Sequence, residues 1–364
     1  MGRAVSNALE QDAARALDAL RRGQHAEACR EFPSALASYD EALTASRDLP
    51  SADPRTRHLR GVIAMNRGNA LQKLALPASF AEAVRAYTDA IAQFETLPHH
   101  TNAELRNQLG AAQLNRGHAF LASGDAANAI TSFEQAVASL EVLPLADDLS
   151  YRLNLAGART NLAHVLLPTD PARARLLTRE TLELLTAHER EHPALSEMSL
   201  RTRRTLVMAN GELLRSGTGV LPVFPKGHGE DAHVIAIDLV AEATDAIDDG
   251  LALARDLELS GNAHLRPLAL RLFRLGAQLY RLHQPHFLAE FLLENLSNPA
   301  FAADRDFRAA TSEALHLALT EIQRPRNLMV GDAGAERLLE TTRTLRAARD
   351  HLSTLTPVLS NQPV

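Results

Sequence analysis

The stretch Ala129-Ile130-Thr131-Ser132-Phe133-Glu134-Gln135-Ala136-Val137 decides the fold, because closely similar segments occur twice before it. The earlier copies are Ala35–Leu43 and Ala83–Ile91, and fainter copies begin at Ala174 and Ala243. Each of the three clear copies has alanine at its first and eighth positions, an aromatic ring at its fifth and an aliphatic residue at its ninth. Positions one, five and nine lie on one helical face, so each copy predicts an amphipathic helix.

A second segment precedes the later copies and begins with an asparagine. It reads Asn66–Ala70, Asn115–Ala119 and Asn161–Val165. An arginine stands nine residues before each of these asparagines, and the same spacing recurs before Asn210; the arginines are Arg57, Arg106, Arg152 and Arg201. The two segments alternate with a period of about 46 residues. They therefore predict a repeated helical hairpin, and hairpins of this size must stack on their neighbours to bury their apolar faces.

Small and aromatic residues explain how such hairpins would pack. Glycines in the first helix permit close helix approach, and the rings of the second helix are expected to fill the space between adjacent hairpins; the residues are Gly68, Gly117, Tyr39, Tyr87 and Phe133. A Leu-Pro pair follows each clear copy, at Leu49–Pro50, Leu97–Pro98 and Leu143–Pro144. Since proline cannot continue a helix, each pair predicts a hairpin boundary.

These residues resemble the tetratricopeptide repeat family. The residues at the spacing of that family's small and aromatic positions are Asn115–Gly117, Phe120, Gly124–Asp125, Ala129, Phe133 and Ala136. The period here is longer than the 34 residues of the family. The resemblance implies an all-α fold, a right-handed α-solenoid of about seven antiparallel hairpins, whose first helices line a concave groove.

Extending the pattern predicts first helices at 5–29, 53–76, 101–123, 147–167, 195–216, 262–283 and 301–324. The second helices are predicted at 32–49, 79–97, 126–143, 170–191, 233–258, 285–297 and 333–356. The chain would thus open with a helix at 1–29, continue with repeats at 30–192 and end with divergent hairpins at 193–356. A surface loop rich in Gly and Pro is predicted at 217–233, and a disordered tail at 357–364.

Composition limits the partners and the environment. The net charge of −6 argues against a nucleic-acid or anionic membrane partner, and no apolar stretch is long enough to span a membrane. Cys29 is the only cysteine, which excludes an intramolecular disulfide and a cysteine-built zinc site and fits a reducing cytosol. Lysine occurs only at Lys73 and Lys226, a bias typical of a GC-rich bacterial genome. A cytoplasmic bacterial protein is expected.

Polar side chains one turn apart on the first helices are the candidate ligand contacts. By the resemblance, the residues that face the groove are Asn66, Asn69, Asn115, His118, Asn161 and His164. An asparagine amide both donates and accepts, so it can pair with an extended peptide backbone. The alternative is that these side chains bridge neighbouring helices or cap local carbonyls. The sequence leaves both interpretations open.

The sixth hairpin carries a basic stripe at helical spacing, formed by Arg271, Arg274, Gln278 and Arg281. Such a stripe suits an acidic segment or a phosphate, and the alternative is a solvated face balanced by Asp245, Asp248 and Asp249. The next segment, Phe287–Leu293, is apolar nearly all round. It is either core beneath the last hairpin or a docking surface for a second subunit, as in a homodimer or hetero-complex.

One segment fits a catalytic motif. His188–His192 matches the HExxH pattern of zinc metallopeptidases, in which two histidines on one helix face bind zinc and the glutamate activates water. A third ligand would have to come from His228, Glu230, Asp231 or His233. Pro193 ends the helix at once, and the Gly and His of the extended metzincin pattern are replaced by Leu195 and Met198. No catalytic residue, bound metal or cofactor is therefore expected.

The sequence favours a non-enzymatic protein-protein interaction scaffold or adaptor. It would bind a peptide segment or partner protein on the concave face and act as a subunit of a multi-protein bacterial system. One alternative is a zinc-dependent hydrolase built on His188–His192. Another is a peptide-sensing transcriptional regulator, against which the lack of a basic helix-turn-helix segment before the repeats counts.

Overall fold

The computed structural model describes residues 2–218, 230–259, 263–322 and 332–355, and every element within these ranges is helical. The predicted all-α class is therefore confirmed. The chain divides into two compact units, Met1–Leu166 and Leu167–Val364, so the boundary falls inside the segment 30–192 that the sequence grouped as repeats. Most of the loop predicted at 217–233, and the tail predicted at 357–364, lie outside the described residues.

Unit 1 consists of helices that pack in chain order, each on the next. They are α1 (Gly2–Ala28), α2 (Phe32–Ala45), α3 (Pro54–Leu74), α4 (Pro77–Glu95), α5 (Ala103–Ala122), α6 (Ala126–Leu140) and α7 (Leu149–Leu166). The first helices α1, α3, α5 and α7 also contact one another in order. This arrangement is the stack of hairpins that the repeated segments predict.

Unit 2 follows the same principle with less regular elements. Its helices are α8 (Pro171–Thr186), α9 (Pro193–Thr218), α10 (Glu230–Leu259), α11 (Arg266–His283), α12 (Leu288–Leu296), α13 (Pro299–Ala303), α14 (Arg305–Ile322) and α15 (Asp332–Leu355). Helix α8 packs on α9, α9 on α10 and α10 on α11, while α14 packs on both α11 and α15. The helical repeat predicted from the sequence is thus confirmed as consecutive helix packing in each unit.

Glycine and aromatic residues interlock within each of the first three hairpins. A Cβ atom on Gly68 would lie 2.6 Å from the ring of Tyr87, and one on Gly117 would lie 2.5 Å from the ring of Phe133. The same pairing joins Gly23 to Tyr39, a copy that the sequence analysis did not identify. The rings are fully buried, and Tyr39 and Tyr87 also join clusters with residues of the next hairpin, as expected. Only glycine lets the first helix approach the ring this closely.

The arginine that recurs nine residues before each asparagine ties its helix to the preceding loop. Its guanidinium donates to a group six or seven residues earlier in the chain: Arg57 to Ser51 O (2.7 Å), Arg106 to His100 Nδ1 (2.9 Å) and Arg152 to Leu145 O (3.0 Å). Arg308 of α14 makes the same contact with Ala302 O at 2.6 Å. Arg201 departs from the pattern and pairs with Glu197. The repeated arginine is therefore structural.

Two predicted helices differ from the structure. The helix predicted at 301–324 is divided at Asp304, whose backbone is extended and whose carboxylate accepts hydrogen bonds from the amides of Asp306 and Phe307. That N-cap starts α14 afresh. The helix predicted at 170–191 ends at Thr186, and residues 187–191 form turns. Within the described ranges, no helix is long and apolar enough to cross a membrane.

Candidate functional site

The predicted groove residues of unit 1 form a row of side-chain hydrogen bonds across α3, α5 and α7. Asn115 Nδ2 donates to Asn69 Oδ1 over 3.1 Å, and Asn161 Nδ2 donates to His118 Nε2 over 3.0 Å. We call these four residues the amide row. Because α3, α5 and α7 are first helices of successive hairpins, each bond joins one hairpin to the next. The bridging interpretation describes these four side chains.

Two residues of the amide row, Asn69 and His118, contact aromatic residues of second helices. The hydroxyl of Tyr87 donates to Asn69 Oδ1 over 2.8 Å, and burial raises the pKa of Tyr87 far above its ordinary value, so the hydroxyl keeps its proton. His118 meets the edge of Phe133 with ring centroids 5.4 Å apart. The Nδ2 group of Asn161 is a donor, so His118 Nε2 accepts this hydrogen bond. The row is therefore held in a fixed orientation.

A second row of polar contacts runs parallel to the amide row, nearer the start of the same helices. His58 Nε2 lies 2.8 Å from Gln108 Oε1, and Asn154 Nδ2 donates to Asn107 Oδ1 over 2.8 Å. Asn107 also donates to Ser150 Oγ over 3.2 Å. The sequence analysis missed this row, although its partners stand one repeat period apart, as those of the amide row do. The spacing of about one repeat period between partners is the sequence signal that identifies both rows of hydrogen bonds.

Bridging uses only one group of each asparagine amide. Asn69 accepts both of its bonds at Oδ1, which leaves its Nδ2 group without a partner among the described residues. Asn115 and Asn161 use Nδ2, and their Oδ1 atoms have no partner in the same set. One donor and two acceptors therefore remain on partly buried side chains at this face of α3, α5 and α7.

The other two predicted groove residues lie outside the amide row. Asn66 is partly buried, and its Nδ2 atom is buried without a hydrogen-bond partner among the described residues. His164 is exposed in the last turn of α7. The hydrogen bonds described above join four of the six predicted groove residues.

The arginines of the basic stripe predicted on α11 differ in their ion pairing. Arg281 forms an ion pair with Glu321 of α14, so its charge is already balanced within unit 2. Arg271 and Arg274 are exposed and have no ion-pair partner among the described residues. The sequence analysis missed Arg204 of α9. Burial lowers the pKa of the Arg204 guanidinium, and the positive charge of Arg271 lowers it further. The uncompensated basic surface is thus formed by α9 and α11 together.

Asp248, one of the aspartates expected to balance this stripe, has other neighbours. Asp248 accepts a hydrogen bond from the Tyr280 hydroxyl at 3.1 Å. Burial raises the pKa of the Asp248 carboxyl, and the nearby carboxylates of Glu294 and Asp245 raise it further, against the lowering effects of Tyr280 and Arg255. Asp248 therefore lies beside Tyr280 and near other carboxylates, and it forms no ion pair with Arg271.

The apolar segment Phe287–Leu293 is mostly core. Leu288 and Leu292 are fully buried, and the ring of Phe291 stacks on those of Phe273 and Tyr280 with centroids 5.4 and 4.7 Å apart. Phe287 is 46% exposed. Because the segment fills the interior of unit 2, the docking-surface interpretation is wrong for its buried residues.

The HExxH segment does not have the geometry that its chemistry requires. Residues 187–191 form turns, so His188 and His192 do not lie one turn apart on a helix. His188 Nδ1 lies 2.9 Å from Glu191 Oε1, and His192 Nδ1 accepts a hydrogen bond from the Ala194 amide at 3.1 Å. The carboxylate of Glu189 is buried in an ion pair with Arg203 at 2.7 Å, which removes it from contact with water.

No group of three or more His, Cys, Asp or Glu side chains that could hold a metal ion occurs among the described residues. The side chains proposed as a third zinc ligand, those of His228, Glu230, Asp231 and His233, lie outside them.

Comparison with known proteins gives a distant structural match. No family model matches the chain, and no curated protein matches it. Among solved structures, the crystal structure of the apo form of RapI matches at 12% sequence identity, covering 93% of this chain and 99% of that one, with a TM-score of 0.48. Function is therefore inferred from the residues of the chain.

Proposed function

We propose that this chain is a binding scaffold that holds an extended peptide segment of a partner protein along the amide row. The observation that supports the proposal is that the two hydrogen-bonding groups of each asparagine amide are used differently. One group bonds to the neighbouring hairpin, and the other is left at the face of α3, α5 and α7. An extended backbone presents both carbonyl and N–H groups, so it can satisfy the Nδ2 of Asn69 and the Oδ1 atoms of Asn115 and Asn161.

The geometry suits a backbone ligand. Packed helices lie about 8–10 Å apart, and an extended chain covers that distance in about three residues. Each first helix would therefore contact roughly every third residue of the segment. Because the bridging bonds already fix the amides, binding orders few side chains and loses little conformational entropy. Contacts to the backbone hold a segment without selecting its side chains, as an adaptor requires.

The same proposal implies a role for the chain within a larger protein assembly. A scaffold that binds through backbone contacts would act as the adaptor subunit of a multi-protein assembly, in a bacterial cytoplasm. Neither chemistry nor a cofactor is needed for that role.

The test starts from peptides selected against the full-length protein by display of a random library. The affinity of a selected peptide is then measured for the wild type, for the Asn115→Ala/Asn161→Ala double variant and for Asn128→Ala. Asn128 is the matched control, because it is an exposed asparagine on the second helix α6. Loss of two hydrogen bonds at about 0.5–1.5 kcal/mol each predicts binding about 5- to 100-fold weaker for the double variant. Unchanged affinity, with helicity also unchanged, would contradict the proposal.

A separate measurement tests the absence of zinc chemistry. Metal analysis of the purified protein should find far less than one zinc per chain, because Glu189 is engaged by Arg203 and the two histidines are not on a helix. Stoichiometric zinc that is lost in a His188→Ala/His192→Ala variant would contradict this expectation and favour the hydrolase.

A further inference from the structure

Two consecutive arginines of α9 lie in very different electrostatic surroundings. Arg203 is 3% exposed and forms an ion pair with Glu189 at 2.7 Å, supported by the hydroxyl of Ser199. Arg204 is partly buried, its Nε atom is buried without a hydrogen-bond partner, and no carboxylate among the described residues pairs with it. A buried charge is costly unless it is paired. Arg203 has its partner within the chain, whereas Arg204 has none among the described residues.

The charged neighbours of Arg204 make its position less favourable still. Burial lowers the pKa of the Arg204 guanidinium, and the positive charges of Arg271 and Arg201 lower it further. Arg201 is exposed and pairs only with Glu197, one turn away on the same helix, an arrangement that is weak at a surface. Arg271 and Arg201 are therefore within electrostatic range of Arg204, and the carboxylate paired with Arg201, that of Glu197, is partly buried.

Close packing at Gly250 of α10 explains why these arginines meet. A Cβ atom at Gly250 would lie 2.6 Å from Leu272 Cδ2 on α11 and 3.1 Å from Arg203 Cδ on α9. The same glycine thus contacts the residue before Arg204 and the residue after Arg271. Helices α9 and α11 also contact each other directly, so their packing holds the two helices together at the level of Arg204 and Arg271.

The other arginines of α11 show that the chain supplies carboxylates elsewhere on this helix. Arg266 pairs with Asp304 at 3.6 Å near the start of α11, and Arg281 pairs with Glu321 near its end. Arg271, between them, has no ion-pair partner among the described residues. Along α11, the arginines without an ion-pair partner among the described residues therefore lie in the middle of the helix, where it packs against α9.

We propose that Arg204 and Arg271, with Arg201 beside them, form a binding site for a phosphate monoester dianion. A carboxylate offers one charge and two oxygens, whereas a phosphoryl group offers up to two charges and three acceptor oxygens. The latter matches several guanidiniums around one point, and the planar arginine fork binds phosphate oxygens in pairs. The phosphoryl group is carried either by a phosphorylated side chain of a partner protein or by a small phosphate compound. This site is in unit 2 and does not depend on the amide row.

The test uses full-length protein and three probes: inorganic phosphate, a degenerate peptide pool with a fixed phosphoserine, and the same pool with glutamate in its place. Binding is followed by fluorescence anisotropy for the peptides and by the rise in melting temperature for phosphate. The phosphoserine pool should bind at least about tenfold more tightly than the glutamate pool, because hydrogen bonds to charged groups are strong. Stabilisation by inorganic phosphate alone would identify a small phosphate compound as sufficient.

Arg204→Gln and Arg271→Gln should each weaken phosphoserine binding about tenfold or more. Arg343→Gln is the matched control, since Arg343 is exposed on α15 of the same unit, and its binding should stay within about twofold of the wild type. Arg271 is exposed, so its variant remains informative even if Arg204→Gln fails to fold. Equal binding of the two pools by a protein that inorganic phosphate does not stabilise would overturn the proposal. Binding of the phosphate probes that is unchanged in Arg271→Gln would also overturn it.

Discussion

Gly117 and Gly211 both lie inside helices, but their surroundings differ. A Cβ atom at Gly117 would lie 2.5 Å from the buried ring of Phe133, whereas nothing lies within 4 Å of one at Gly211. Gly117→Ala is therefore expected to destabilise the protein by about 1–3 kcal/mol through overpacking. Gly211→Ala should stabilise it by about 0.5–1 kcal/mol through helix propensity. Urea denaturation of the two variants measures the contrast, and changes of the same sign would contradict the packing described.

Glu189 provides a second test at the scale of single residues. Glu189→Gln removes the negative charge that compensates the buried guanidinium of Arg203, so the free energy of unfolding should fall by about 3–5 kcal/mol. Glu191→Gln is the control, because Glu191 is exposed and contacts only His188, and its effect should stay below about 1 kcal/mol. Equal losses in chemical denaturation would mean that the buried ion pair does not form.

The sequence made some of these residues predictable and hid others. Gly68 and Gly117 could be recognised because the residue recurs at the same point of each copy. The pairing of Glu189 with Arg203 could not, because it depends on the turn at 187–191, which a helix was expected to occupy. The HExxH match singled out Glu189 as a residue that activates water, whereas in the structure Glu189 forms a buried ion pair with Arg203.

At the scale of elements, helix starts are set by capping side chains that the sequence displays. Asp125 precedes α6, and its carboxylate accepts hydrogen bonds from the backbone amide and the side chain of Asn128. These bonds hold the pKa of Asp125 below its ordinary value. A carboxyl whose pKa is lowered in the folded state stabilises that state above the unfolded pKa, and the contribution is lost as pH falls through the lowered value.

Asp125→Ala should therefore reduce stability at neutral pH, and the difference from wild type should shrink as pH falls below about 4. Asp125→Asn keeps a capping oxygen without the titrating group, so it should retain much of the cap and show less dependence on pH. Denaturation midpoints measured at several pH values check both expectations. A difference between Asp125→Ala and wild type that does not change with pH would exclude the carboxylate as the source of the cap's stability.

Predictability at this scale follows the strength of local signals. The Leu-Pro pairs and the repeated asparagines located the hairpins of unit 1, because those signals act within a few residues. The division at Asp304 was missed, although Asp304 and Pro299 are both helix-start residues, because the apolar pattern continues across them. Contacts between hairpins, such as Asn69 with Asn115, follow from the repeat period only once the helices are known to stack in register.

At the scale of the whole molecule, the two proposed sites differ in charge. The chain carries a net charge of −6, yet Arg204 and Arg271 have no paired carboxylate among the described residues. In the amide row, Asn69, Asn115 and Asn161 carry no charge. Raising the ionic strength from about 0.1 to about 1 M shortens the Debye length from about 10 to about 3 Å. Phosphoserine binding should weaken strongly over this range, and binding of an uncharged display-selected peptide should change little. Equal salt dependence of phosphoserine binding and of peptide binding would contradict this difference in charge between the two sites.

The most direct measurement of the proposed function is hydrogen exchange on the full-length protein, with and without a saturating display-selected peptide. Binding along the amide row predicts slower amide exchange in α3, α5 and α7, the three helices that carry the unpaired groups of Asn69, Asn115 and Asn161. Protection confined to the second helices α4 and α6, or to unit 2, would show that the peptide lies elsewhere and that the amides serve only to join the hairpins.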